Sequence, residues 1–284
     1  MEQGIETEIV DYWSVQPPFR AEQGEVGSLP WSRSISEHRY RVIPYLKSWA
    51  SFDAHRGKKI LEIGCGAGTD LCEFARGGAE VTAVDVTQTA VDLTRRRLEA
   101  EGLHGSVDRY DGSRLPFQDA AFDLVWSFGV LHHSPFMDDL LAEIHRVLKP
   151  GGELKMMLYH RHSLLYYYSI IYLRQLRQER GRVSREAMLS RYSEFRTGCP
   201  YTRVFSSEEM KERLWFFGQV KPSIDYCVYD TADERKLRAD KPLEIEKSGV
   251  EDVDRFLQEF NDAARRGSDL RQYGWHLLID AKRA

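Results

Sequence analysis

Ile60-Leu61-Glu62-Ile63-Gly64-Cys65-Gly66-Ala67-Gly68 is the stretch from which the rest of the chain can be read. A short apolar run, broken by the single acid Glu62, feeds straight into three glycines at alternate positions. These residues spell a buried β-strand closing on a tight turn, and Thr69 to Ala75 continues with helical spacing. Glycine adopts positive φ without a Cβ penalty and lets a ligand press against bare backbone beside a helix N-terminus. Strand, turn and helix start together form an anchor of nucleotide size. The spacing is GxGxG, which overlaps the dinucleotide fingerprint GxGxxG without matching it. No Gly-Lys-Ser/Thr follows, so the turn is not a Walker A loop.

Downstream of the anchor, strands and helices alternate. Glu80 to Asp85 is a second strand ending on an acid, and residues 88–101 form a helix with the TRRR run, Thr94 to Arg97, along its polar side. Val107 to Tyr110 is a third strand, Phe122 to Ser127 a fourth, Leu140 to Leu148 a helix and Glu153 to Tyr159 a fifth strand. Short connections and steady alternation predict an α/β fold, a mostly parallel sheet with helices on both faces. Ser206 and Glu209 form a capping box at a helix start. Val220 to Tyr229 and Tyr273 to Lys282 read as two late strands flanking a helical excursion at 230–270, and so as an antiparallel pair at one sheet edge.

Upstream, Ser36 to Ala50 fits a helix with Pro44 as kink or start, while residues 1–34 are aperiodic, with Pro17-Pro18 and Pro30. This leader carries Tyr12, Trp13, Phe19 and Trp31, too many aromatics for a solvated segment. It reads as a strand or loop filling a groove on its own core, or as a lid over a ligand, and the two are compatible. Residues 160–205 break the rhythm of the sheet: a Tyr/Leu/Ile-rich start at 164–173 turns basic, with nine arginines, no lysine and three glutamates between 161 and 203. The chain thus divides into an N-terminal lid and helix (1–52), a nucleotide-binding core (53–160), a helical insertion (161–205) and a C-terminal part of the core (206–284).

The 284 residues suit one larger α/β domain, or a core with an appended lid. A hydrophobic share of 42% with 30% charged residues is ordinary for a globular protein. The net charge of −4 and pI near 6.2 argue against nucleic acid as the main partner. Cysteines 65, 72, 199 and 227 form no CxxC pair and have no companion histidines at zinc spacing, so the expectation is free thiols and no metal. The start MEQGIETEIVDYW lacks the pattern of a signal peptide, and no run approaches the ~18 apolar residues of a membrane span. A cytoplasmic protein without membrane insertion is expected.

Four collinear motifs, LEIGCGAG at 61–68, VTAVDVT at 81–87, DGSRLPFQDAAFDLVWSFGVLHH at 111–133 and LKPGGEL at 148–154, identify a family. The chain resembles the class I S-adenosylmethionine (SAM)-dependent methyltransferases, within them the small-molecule group related to the ubiquinone/menaquinone-biosynthesis enzymes. The resemblance covers residues 55–160 closely and the late strands more loosely. It implies a Rossmann-like sheet and SAM as cofactor. Gly64, Gly66 and Gly68 would let backbone approach the methionine part of SAM, with Cys65 and Val86 completing the lining. Glu62, an acid in a buried strand, would lie near the cofactor's ammonium, or hydrogen bond structurally to the glycine turn. Asp85, ending the second strand, sits where a carboxylate accepts ribose hydroxyls. Asp111 would take the adenine amino group beside Gly112 and Ser113, or form an Asx-turn. Asp123 starts a strand away from the ligand edge and reads as structural.

Ligands of such sheets sit beyond the carboxyl ends of the strands, which places Ser127, Phe128, His132 and His133 beside the sulfonium. An Asn/Asp-Pro-Pro-aromatic motif of nucleobase enzymes is missing there, which disfavours DNA or RNA as acceptor. His132 and His133 are the base candidates, because histidine titrates in the useful range; on a helix they point apart, so at most one faces the cleft. The other reading is that one caps or packs and the chemistry uses no base. Tyr12, Tyr159, His160, Tyr166 and Arg203 are the acceptor-side candidates. The tyrosine run either walls a pocket, docks the insertion on the core, forms a homodimer face or touches lipid. The arginine excess suggests an acidic small-molecule acceptor, which Arg binds bidentately. The expected activity is methyl transfer to O or N of a metabolite. The alternatives are an enzyme that consumes SAM by cyclisation or elimination, and a non-catalytic partner subunit of the same fold.

Overall fold

The anchor strand β1 (Lys59–Ile63) is the middle of the molecule, four of its five residues buried. In this computed structural model, which describes residues 2–15 (side chains from residue 5), 24–194, 197–226 and 241–284, β1 pairs in parallel with β2 (Glu80–Asp85) on one side and β4 (Phe122–Phe128) on the other. The seven-stranded sheet runs β3-β2-β1-β4-β5-β7-β6, with β3 Ser106–Arg109, β5 Leu148–Tyr159, β6 Gln219–Asp225 and β7 His276–Lys282. Five parallel strands are followed by β7, antiparallel to both β5 and β6. The late pair is at the edge as expected, but the reversed strand lies one place in, and β6 is the edge. Pro222 in β6 fits there, because an edge strand tolerates a missing donor. β5 starts at Leu148, earlier than expected: Leu148 pairs with Phe122, and the register shifts before Glu153 meets Leu124.

Successive residues of β1 point to opposite faces, so Leu61 and Ile63 join one core and Ile60 the other. The first core packs α6 (Met137–Val147), whose Met137, Leu140, Leu141, Ile144 and Val147 recur at helical spacing. The second packs α3 (Leu46–Ala50), α4 (Thr69–Arg76) and α5 (Gln88–Ala100) through Leu46, Leu71, Phe74, Val91 and Trp126. Ser206 and Glu209 do form the capping box of α8 (Ser207–Arg213). Asp123 holds Lys149 and the backbone of Lys59, a structural role.

Two segments, the leader and the TRRR run, differ from the sequence reading. The leader contains α1 (Glu2–Ser14), and α2 (Leu29–Val42) starts earlier than expected, with Ser28 as N-cap and a proline in its first turn. Pro44 lies in the break before α3, as a helix start requires. Arg97 of the TRRR run is wholly buried rather than solvated: it binds Thr69 Oγ1, the carbonyls of Ala67 and Ser32, Ser36 Oγ and Glu101. The insertion holds a π-helix (Leu165–Gln178) and α7 (Arg185–Tyr192), and a third core joins Tyr166 to Tyr172 with α9 (Glu251–Arg265) and Trp275. Pro17, Pro18, Phe19, Cys227 and the end of the expected sixth strand at Tyr229 lie outside the described residues.

Candidate functional site

A cavity of about 650 Å³ opens beyond the carboxyl ends of β1, β2, β4 and β5. One end is built by the glycine turn. Gly64 has φ +79°, and a Cβ there would lie 2.4 Å from Val130 Cγ2, so only glycine fits. At Gly66 a Cβ would meet nothing within 4 Å, which leaves its backbone open to the cavity. Its amide donates to Asp85 Oδ2 at 3.1 Å, while Asp85 Oδ1 accepts the amide and hydroxyl of Thr87, both at 2.9 Å. Burial raises the Asp85 pKa and these hydrogen bonds oppose the rise. The carboxylate is therefore fixed in place at the end of β2, facing the cavity.

Glu62 also lines this end. Its Oε2 is buried without a hydrogen-bond partner among the described residues. Burial, then the nearby Asp70 charge, holds its pKa well above the usual range. Asp70 is itself tied down: Arg39 Nε and Nη2 reach its two oxygens at 2.9 and 2.5 Å, with Tyr40 and Trp126 donating as well. Glu62 is thus the acid left over at this end, an acceptor without a donor among the described residues.

Cys65, Val86, Asp111 and Gly112 join the lining. Asp111 makes the Asx-turn, accepting the amide and hydroxyl of Ser113 at 2.9 and 2.8 Å, and those bonds lower its pKa. Three expected cofactor residues do not line the cavity. Ser113 is spent on orienting Asp111; Ser127 Oγ donates to the Ile63 carbonyl at 3.1 Å; Gly68, the N-cap of α4, packs against Thr94.

The other end is apolar and aromatic. Phe128, Met157 and Tyr159 come from the sheet, Trp275 from the bend just before β7, Ile9, Val10 and Trp13 from α1, and Leu165, Ser169, Leu173 and Arg174 from the π-helix. Tyr159 stacks on Trp275 with ring centroids 4.3 Å apart. Of the five acceptor-side candidates only Tyr159 lines the cavity. Tyr12 lies edge-on to Trp13, which takes the place expected of it. His160 is buried with Nδ1 at 3.1 Å from the Gly274 carbonyl, its pKa lowered by burial to about 4. Tyr166 is buried in the third core, and the Arg203 guanidinium stacks over Tyr201 and Phe205.

His132 and His133 sit on a single 3₁₀ turn, Leu131–His133. His132 is fully buried behind the wall, between His133 and Tyr159, and burial drives its pKa well down. It does not reach the cavity. His133 does, with Nδ1 2.9 Å from the Tyr201 carbonyl and Nε2 3.4 Å from Glu194 Oε1. Burial works to lower its pKa, but Cys199 and Glu194 more than offset this and raise it to about 10. A ring already protonated at neutral pH accepts no proton, so neither histidine is placed as the expected base. The sequence reading missed Glu194 and Arg174, and it named Trp13 only among the aromatics of a leader that fills a groove or covers a ligand.

Comparison with known proteins agrees with this geometry. Residues 61–156 match the methyltransferase-domain family model. The chain is 37% identical over 105 residues to methyltransferase GfsG of Streptomyces halstedii, covering 36% of this chain and 38% of that one. It is 36% identical over 126 residues to a fatty-acid O-methyltransferase of Mycolicibacterium smegmatis, 44% of this chain and 45% of that one. These matches span less than half the length of either relative. Among solved structures, geranyl diphosphate C-methyltransferase of Streptomyces coelicolor A3(2) shares the fold, with TM-score 0.56, 17% identity and coverage of 99% and 98% of the two chains. No described helix is long and apolar enough to cross a membrane.

Proposed function

We propose that the chain, whose residues 61–156 match the methyltransferase-domain family model, is a class I SAM-dependent methyltransferase that methylates an oxygen of an apolar small molecule carrying an anionic group. SAM, when bound, supplies a methyl group already activated by its sulfonium. The glycine end fits it: Glu62 Oε2 is an orphaned acceptor for the ammonium, the Gly66 backbone is bare, and Asp85 offers a fixed carboxylate to the ribose. Asp111 and Gly112 would hold the adenine.

The observation that carries the acceptor class is Arg174. It lines the apolar end, its guanidinium lies 4.3 Å from the Tyr192 ring centroid, and it has no carboxylate or hydrogen-bond partner among the described residues. The other arginine of the wall, Arg39, is committed to Asp70. A half-buried cation in an aromatic chamber is matched by an anion presented bidentately. A carboxylate oxygen is a nucleophile without losing a proton, which agrees with neither His132 nor His133 being placed as a base. The chain's contribution is then orientation and exclusion of water, the acceptor oxygen being held in line with the methyl–sulfur bond.

The test is incubation of the protein with SAM and a panel of apolar acids, amines and alcohols, read by mass spectrometry. A gain of one methyl on acids is expected. Arg174→Met should raise KM for the acid roughly 10- to 100-fold, the loss of one charge-assisted hydrogen bond, with SAM affinity unchanged. Methylthioadenosine released without acceptor, or acceptance of amines alone, would overturn the reading.

A further inference from the structure

Three polar groups converge behind and on the wall of the apolar end. One ring nitrogen each of His132 and His133 and an oxygen of Glu194 lie within 4.8 Å of one another. Local hydrogen bonds decide where their lone pairs point. His133 Nδ1 is 2.9 Å from the Tyr201 carbonyl, and a carbonyl only accepts, so Nδ1 carries the hydrogen. In the neutral ring Nε2 then presents a lone pair to Glu194 Oε1 at 3.4 Å, without hydrogen-bond geometry. That oxygen already accepts the Tyr159 hydroxyl at 2.7 Å. His132, wholly buried, has neither ring nitrogen partnered among the described residues.

Buried acceptors that face one another are costly unless a cation lies between them. Without metal the proton on His133 relieves its contact with Glu194 but leaves both nitrogens of His132 unpartnered among the described residues, whereas a divalent ion that displaces that proton satisfies all three. We propose that His132, His133 and Glu194 form a binding site for a first-row divalent metal ion of the zinc class, with an open coordination position toward the acceptor end of the cavity. Two imidazoles and a carboxylate are a donor set for zinc or ferrous iron, and three protein ligands leave a position free. The Tyr201 carbonyl on Nδ1 and the Tyr159 hydroxyl on Glu194 are the outer-shell partners that orient such ligands. Ligands of a tetrahedral ion at about 2.1 Å stand roughly 3.4 Å apart, which His133 and Glu194 already do, so His132 closes by up to about 1.4 Å on loading. His133 and Glu194 line the cavity, and the open position therefore meets an acceptor oxygen. The site stands on its own geometry and goes beyond the methyl-transfer reading.

The full chain, stripped with chelator, is titrated with Zn²⁺ by calorimetry and with Co²⁺ by visible absorption. One ion per chain is expected, with tetrahedral Co²⁺ bands and a change in emission from Trp13, whose ring is 5.0 Å from that of His133. Glu194→Gln keeps the shape and the Tyr159 contact, and His132→Phe fills the buried space without a ligand atom. Each should weaken Zn²⁺ at least tenfold and abolish the Co²⁺ bands, with urea unfolding confirming that both fold. No stoichiometric Zn²⁺ binding, or equal binding by wild type and the two variants, overturns the site. SAM titration of the same samples reports separately on the cofactor end.

Discussion

Replacing Glu62 by glutamine should make the empty protein more stable and SAM binding weaker. The two effects have one cause. Glu62 is buried beside Asp70 and Asp85, and its Oε2 has no partner among the described residues. A carboxyl whose folded pKa lies above its unfolded value gives stability that is full below the unfolded pKa and is lost as pH rises through the folded one. At neutral pH the carboxylate is therefore a liability, and a neutral amide of the same shape should raise stability by on the order of 1 kcal/mol, the scale of an unsatisfied buried group. A cation entering the cavity reverses this balance, because a charge-assisted hydrogen bond to the ammonium is worth roughly 1.5–3 kcal/mol. The SAM Kd of Glu62→Gln should thus rise about 10- to 150-fold. The ammonium also draws the Glu62 pKa down, so wild type should release protons on binding SAM and the variant should not. Calorimetry in buffers of different ionisation enthalpy measures both, and urea unfolding of the ligand-free protein measures stability. A variant that binds SAM as tightly as wild type, or that is destabilised when empty, refutes the assignment of Glu62 to the ammonium.

Gly64→Ala meets both the positive φ and the Val130 side chain, costing about 1–2 kcal/mol for the backbone and about 1–3 for the clash; Val130→Ala should recover only the second part, read by urea unfolding of the single and double variants. Acid should unfold the protein early: burial lowers His160 to about 4 and His276 to about 3, so the stability they contribute is present above the unfolded value near 6.5 and falls away as pH drops below it. At pH 5 each costs about 2 kcal/mol, and His160→Asn, which keeps a donor for the Gly274 carbonyl, should remove its share of the loss between pH 7.5 and 5.

What could be read from the sequence was local. Residues 60–68 carry strand, turn and helix start within nine positions, and Asp85 follows from the end of one apolar run, so the cofactor end needs no knowledge of distant packing. Ser127 fails for a simple reason of direction: the end of β4 points alternate residues away from the cavity, and its hydroxyl is taken by the Ile63 carbonyl. Arg97 looked solvated because three consecutive arginines cannot all face inward; the one that does is selected by Thr69, Ser36 and Glu101, which come from three other places in the chain or one turn along it. Glu194 follows the same logic, since only docking of the insertion brings it to His133.

Arg174 shows why a helical insertion is the hardest part to read. An α-helix advances about 100° per residue, which would turn Arg174, nine residues after Leu165, to the opposite side, and Gln178 nearly as far. The segment is instead a π-helix, with the Glu179 amide bonded to the Arg174 carbonyl five residues back. At about 4.4 residues per turn, Leu165, Ser169, Arg174 and Gln178 fall within about 35° of one direction, and all four line the cavity. The Tyr/Ile run between them is thereby turned into the third core. One slow turn thus gives the insertion two roles, docking through its tyrosines and lining the acceptor end with a column that carries a cation. Periodicity of 3.6 applied to the same letters assigns Arg174 to solvent, and Arg203 was singled out in its place.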